Sequence, residues 1–208
     1  MITENKGVVT GILIAATLWF FMFSPWTAPM INFWGAMTFS AVILTCVSRW
    51  LCPKMFKELR FGGKQIVLGF AIAFVLWWVF WIGDKMSQLI FNFARPQVDM
   101  IYSMGNGTSS VIIAILLLLI IGPAEEIFWR GFVQRRLMLR FGSNIGFIAA
   151  TVCYALVHIW SFNFMLVMAA LVVGFCWGLT YRFFPRLLPA LIVSHAVWDA
   201  CAFVIFPF

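Results

Sequence analysis

Glu125 and Glu126 stand side by side in the run Gly122-Pro-Ala-Glu125-Glu126-Ile-Phe-Trp-Arg130-Gly131. His158 ends the apolar run Cys-Tyr-Ala-Leu-Val-His158, and His195 opens Ser-His195-Ala-Val-Trp-Asp199. Together these motifs hold both histidines of the chain and three of its seven acidic residues. An ionisable group at membrane depth costs about 3 kcal/mol on insertion scales and normally faces a protein interior or a wet cavity. Three such clusters in one chain point to joint use. A carboxylate with two imidazoles is the minimum set for activating a water. The carboxylate takes the proton, one histidine orients the water, and the other, with Asp199, can donate to an oxyanion. The same Glu125, His158 and His195 offer zinc a triad with an open fourth position.

Spacing refines the roles. Glu126 and Arg130 are four residues apart, so they share a helix face and can pair. Glu125 is turned by about 100° from Glu126 and is free for chemistry. The competing reading makes both glutamates salt-bridge partners. Pro123 inside this helix should kink it and free backbone carbonyls, which membrane depth tolerates only where protein or water satisfies them. Tyr154 lies one turn before His158, and His195 and Asp199 are also one turn apart on one face. Ser194 points to another face and reads as incidental. The chain has no HExxH and no GxSxG. Asp84 and Asp99 fall outside the expected spans, so no pair of membrane aspartates is expected.

The elements that must position these residues are membrane helices. The chain has 208 residues, 64% hydrophobic and 10% charged, with a mean hydropathy of +1.02. No ordinary water-soluble domain has this composition. The expected fold class is all-α: a single integral membrane domain over residues 1–208, a polytopic bundle of about seven transmembrane helices. The expected spans are 8–24, 30–50, 65–82, 109–134, 145–160, 163–182 and 188–206. With seven spans, Lys6, Arg49, Lys54, Lys57, Arg60, Lys64, Arg135, Arg136, Arg140, Arg182 and Arg186 all fall on one side. Lys85 and Arg95 fall on the other. This asymmetry places the N-terminus in the cytoplasm. The first span has no cleavage pattern after it and reads as retained. The net charge of +7 then reflects topology and anionic lipid, and requires no nucleic-acid partner. The five cysteines show no CxxC pair and read as small buried residues. The segment 83–108 reads as an interfacial amphipathic stretch with a turn, or as a lid over a cavity.

Glu125-Glu126-x-x-x-Arg130, Tyr154-x-x-x-His158 and His195-x-x-x-Asp199 resemble, in order, the three motifs of the CPBP family. These are intramembrane proteases of CAAX prenyl-protein and bacteriocin processing, also called Abi proteins. The resemblance covers residues 109–206, and Trp129-Arg130-Gly131 is similar to the family's aromatic-Arg-Gly continuation. It implies a helical fold around a membrane-embedded conical cavity that opens toward the cytoplasm. It implies that Glu125 and His158 activate water, that His195 and Asp199 stabilise the oxyanion, and that Glu126 with Arg130 holds the site. It favours a metal-free glutamic peptidase with no cofactor, with a zinc peptidase as the alternative. Two departures stand out: Tyr154 replaces the usual Phe, and Asp199 the usual Asn. An ionised Asp accepts hydrogen bonds and cannot donate one to an oxyanion.

The expected function is therefore an intramembrane endopeptidase, in a bacterial inner membrane, acting on a peptide or membrane-associated protein. Two other classes compete: a catalytically silent scaffold or immunity protein of the same fold, and a small proton-coupled carrier. The absence of an inverted repeat weighs against the carrier.

Overall fold

The computed structural model describes residues 2–208, with side chains from residue 7 onward. The Lys6 side chain, counted above with the basic side, lies outside the described residues. The chain is 87% helix, and no strand occurs among the described residues. Helices α1 (Ile2–Phe23) and α2 (Phe33–Leu51) form a first pair. The short α3 (Pro53–Glu58) and the long α4 (Gly63–Ile90) follow, and α5 (Ala94–Ser103) lies before the second half. That half holds α6 (Ser110–Phe141), α7 (Ser143–Ser161), α8 (Phe164–Phe183) and α9 (Pro185–Ile205). Among the described residues six helices (α2, α4, α6, α7, α8 and α9) are long and apolar enough to cross a membrane. The apolar part of α1, Gly7–Phe23, is shorter than these.

Local signals set the boundaries. Asn32 caps α2 by accepting from Gly35 N at 2.7 Å, and Asn163 caps α8 by accepting from Leu166 N at 2.9 Å. Pro53 and Pro185 sit in first turns, where a missing N–H costs nothing. Gly142, at φ 83°, ends α6 in a conformation that a side chain would resist. Helix α6 passes through Pro123 without breaking. Its turns widen to π geometry over Leu117–Ile121 and again over Ile127–Gln134, on either side of the Gly122–Glu126 segment. Such widening is the usual accommodation where the i→i−4 ladder is interrupted, and it is frequent at functional sites.

Two expectations change here. Helix α4 runs on to Ile90, so Asp84 lies inside a candidate span and is buried, not outside the membrane region. Of the cysteines only Cys52 is buried; Cys46 is exposed, and the other three are half-buried. Exposure on such a bundle means lipid, which a thiol tolerates.

The ends of the bundle differ chemically. At one end Arg135 forms a two-pronged pair with Glu58 at 2.6 and 3.0 Å, and Arg136 donates to Leu51 O at 2.8 Å. The Arg135 guanidinium holds the Glu58 carboxyl below its ordinary range. At the other end α5 is tied down by its neighbours. Arg95 donates to Phe208 O at 3.1 Å, Tyr102 to Ala202 O at 3.1 Å, and Asn163 to Gln97 O at 2.7 Å. Trp34 donates to Met104 O at 3.0 Å from α2. The 83–108 segment is therefore helical wall, pinned to α2, α8 and α9.

Helices α6 and α9 touch at Gly122. A Cβ there would stand 2.7 Å from Ala196 Cα and 2.8 Å from Ala196 N. Backbone cannot yield as a side-chain tip can, so Gly122→Ala should force the two helices apart. The expected loss is about 1–3 kcal/mol, the range typical of overpacking. It would appear as a lower unfolding midpoint of the detergent-purified protein. Gly63→Ala meets nothing within 4 Å and should leave the midpoint unchanged or higher.

Candidate active site

The motifs meet in one buried cluster where α6, α7 and α9 converge. Glu126 is fully buried, and its Oε1 accepts from Arg130 Nη1 at 2.8 Å and lies 2.9 Å from His195 Nδ1. One oxygen thus holds two partners, and Oε2 has no hydrogen-bond partner. The i, i+4 pairing read from the sequence is present, and His195 from α9 joins it. With Nδ1–H directed at Glu126, the Nε2 of His195 is the atom left for chemistry. Asp199 Oδ2 lies 3.4 Å from that Nε2, one turn on along α9.

Glu125 faces elsewhere, as its rotation requires. Its Oε2 accepts from the Tyr154 hydroxyl at 2.9 Å. Tyr154 comes from α7, one turn before His158. Phe at this position could not make that bond, so the departure from the usual motif adds a donor to the carboxylate. The π turn that begins at Ile127, directly after the glutamates, shifts the register of Trp129 and Arg130 relative to them. Arg130 then packs between two rings, its guanidinium carbon 4.6 Å from the Tyr154 centroid and 5.4 Å from that of Trp177.

His158 sits where α7 tightens into a 3₁₀ turn over Val157–Ser161, ended by Phe162 in the left-handed region at φ 50°. Both ring nitrogens are engaged. Nδ1 lies 2.9 Å from Tyr154 O, which can only accept, so Nδ1 carries the proton. Nε2 then accepts from Trp19 Nε1 at 3.0 Å. His158 is thus a neutral ring held between its own helix and α1.

Several contributors escape the sequence reading. Trp19 is an unremarkable aromatic in an apolar helix, and only the fold reveals its partner. Trp177, on α8, stacks on His195 with centroids 4.1 Å apart and planes at 20°. Its indole N–H donates to Ser194 Oγ at 3.0 Å. Ser194 is therefore no bystander: it orients the ring on which His195 lies. Gly174 is the signal that was present but unread, since a Cβ there would stand 2.9 Å from Tyr154 Cδ1.

The cluster borders a cavity of about 520 Å³. Glu125, Tyr154, His158, His195 and Asp199 line it, within walls that are otherwise mostly apolar. Phe91 and Phe164 also line it and are exposed, so the cavity reaches the surface at the end where Arg95 and Phe208 meet. That end is opposite the one where Arg135 pairs with Glu58.

The arrangement brings together a carboxylate with one hydrogen-bonded oxygen, a neutral imidazole, and a second imidazole braced by a carboxylate and an indole. Among the described residues no three His, Cys, Asp or Glu side chains are grouped so as to hold a metal ion. No curated protein and no solved structure matches the chain. Residues 107–201 match the Rce1-like family model, described as type II CAAX prenyl endopeptidase Rce1-like, and this is the CPBP and CAAX protease family that the three motifs resemble.

Proposed function

We propose that the chain is an intramembrane endopeptidase that hydrolyses a peptide bond with a water activated by Glu125. The carrying observation is that all three motifs, from three helices, border one cavity of peptide-binding size. The family match indicates a peptidase that acts within the membrane on a peptide or protein.

The steps follow from the geometry. Tyr154 occupies Glu125 Oε2, which leaves Oε1 to receive a proton from water. The hydroxide adds to the scissile carbonyl carbon. The negative charge on the carbonyl oxygen meets a donor at His195 Nε2. Glu126 and Trp177 keep that nitrogen turned toward the cavity. The proton on Glu125 passes to the amide nitrogen, and the C–N bond breaks. Asp199 acts on His195 rather than on the oxyanion, since a carboxylate beside Nε2 supports a proton there. His158 can orient the water only when Trp19 gives up Nε2.

Zinc does not fit these side chains as they are placed. His158 Nε2 is taken by the indole N–H of Trp19, so the set of Glu125, His158 and His195 is one ligand short.

Glu125→Gln keeps the shape and removes the base. Cleavage of a hydrophobic peptide library by the purified protein should fall about 10²- to 10⁴-fold. Metal content measured on the same sample should not track activity. Equal cleavage by both proteins, or none by either, would move the chain to a binding scaffold. Tyr154→Phe should retain the fold and lose a factor of about 3–10, the value of one hydrogen bond.

The basic end supports a cytoplasmic N-terminus, so the cavity opens on the opposite face. Substrates would then be hydrophobic or membrane-associated segments presented from that face. In a chain freed of its native cysteines, an impermeant maleimide applied to intact cells should label Asn106→Cys, and Lys57→Cys only after permeabilisation. The reverse pattern would overturn this orientation.

A further inference from the structure

The chain between α2 and α4 carries its charge unevenly. Residues 49–64 hold five cations, Arg49, Lys54, Lys57, Arg60 and Lys64, against one acid, Glu58. That acid is engaged by Arg135 of α6 at 2.6 Å. All five cations are exposed, and Arg49 lies 5.7 Å from the Phe56 ring centroid. Exposed rings stand among them: Trp50 is 82% exposed and Phe61 55%. The other side of α3 is closed, with Met55 fully buried and Phe56 and Leu59 half-buried.

The neighbours of α3 fix where it can lie. Helices α2 and α4 are both candidate membrane spans. Cys52 alone separates α3 from α2, and residues 59–62 separate it from α4. Tethers this short hold α3 at the boundary of the hydrocarbon. A helix there with one apolar side, aromatic flanks and uncompensated cations meets phospholipid headgroups. A cluster of four or more basic residues beside a span favours anionic ones. Nucleic acid would serve the cations but leave Trp50 and Phe61 in water. A phospholipid serves both, with its phosphate beside the cations and its acyl chains beside the rings.

Helix α3 is also clamped to α6 just past Arg130. The Met55 sulfur fills the space that a Cβ on Gly131 would take. Arg135 holds Glu58, and Arg136 donates to Leu51 O at 2.8 Å.

We propose that residues 49–64 form a binding surface for anionic phospholipid headgroups, and that a bound headgroup braces α6 through α3. Lys54, Lys57, Arg60 and Lys64 pair with the phosphates. Met55 and Glu58 pass the restraint to Gly131 and Arg135, next to the Arg130 that holds Glu126. The surface stands whether or not the chain hydrolyses peptides.

Native mass spectrometry of the detergent-purified protein would count retained phosphatidylglycerol against phosphatidylcholine of the same chain length. Phosphatidylglycerol should be held more tightly. Lys54→Gln and Lys57→Gln should each weaken it about fivefold and leave phosphatidylcholine unchanged. Both side chains are exposed, so neither change disturbs the packing. Equal retention of the two lipids would overturn the surface, as would variants that hold phosphatidylglycerol as tightly as the parent. Displacement of the lipid by inorganic phosphate, at equal phosphate concentration, would overturn it in favour of a free-phosphate site. Displacement by a single-stranded oligonucleotide would overturn it in favour of a nucleic-acid surface. The brace is read separately, by amide hydrogen exchange over residues 131–141 of the unsubstituted protein. Phosphatidylglycerol should slow that exchange and phosphatidylcholine should not. Equal exchange in the two lipids would overturn the brace and leave the surface standing.

Discussion

The site depends on a single buried oxygen. Glu126 Oε1 holds Arg130 from its own helix and His195 from α9, at 2.8 and 2.9 Å. A fully buried carboxylate is unfavourable without partners, and removing one partner of such a pair typically costs 3–5 kcal/mol. The same fact makes it a good locator, since the carboxylate, guanidinium and imidazole have few other ways to be satisfied. Arg130 in turn lies between Tyr154 and Trp177, so α7 and α8 are indexed to the same point. The second carboxylate, Glu125, stays outside this ion pair and is held instead by the Tyr154 hydroxyl.

Bringing the helices close enough for this requires small residues. In lipid, helix association depends on packing and hydrogen bonding more than on hydrophobicity. Gly122 admits the backbone of α9, and Gly174 admits the ring of Tyr154. Pro123 and the flanking π turns belong to the same device. They set the register of Arg130 against the glutamates, and its guanidinium reaches the Tyr154 ring.

Much of this was legible in the sequence because burying charge is costly. Clusters of ionisable residues in apolar runs, at i, i+4 spacing, leave few arrangements, and Glu126–Arg130 and His195–Asp199 follow from helix geometry alone. The helical membrane character follows from hydropathy. What was not legible comes from contacts between residues far apart in the chain. Nothing in local sequence distinguishes Trp19 or Trp177 from the nine other tryptophans. Asp84 was misjudged because hydropathy falls near the end of α4, whereas the helix itself runs eight residues past the expected boundary of 82. The role of Ser194 depends on where an indole from α8 happens to point.

Trp19 carries one more implication. It belongs to α1, outside the residues 107–201 that match the family, yet it fills the Nε2 position of His158. Phe23, Phe33 and Met37, from α1 and α2, likewise wall the cavity. The edge of family similarity is thus not the edge of the working part. A protein trimmed to its recognisable half would keep every motif residue and lose one wall of the chamber, with an imidazole nitrogen left bare. The first helices, outside the family match, therefore decide what the His158 Nε2 meets inside the chamber.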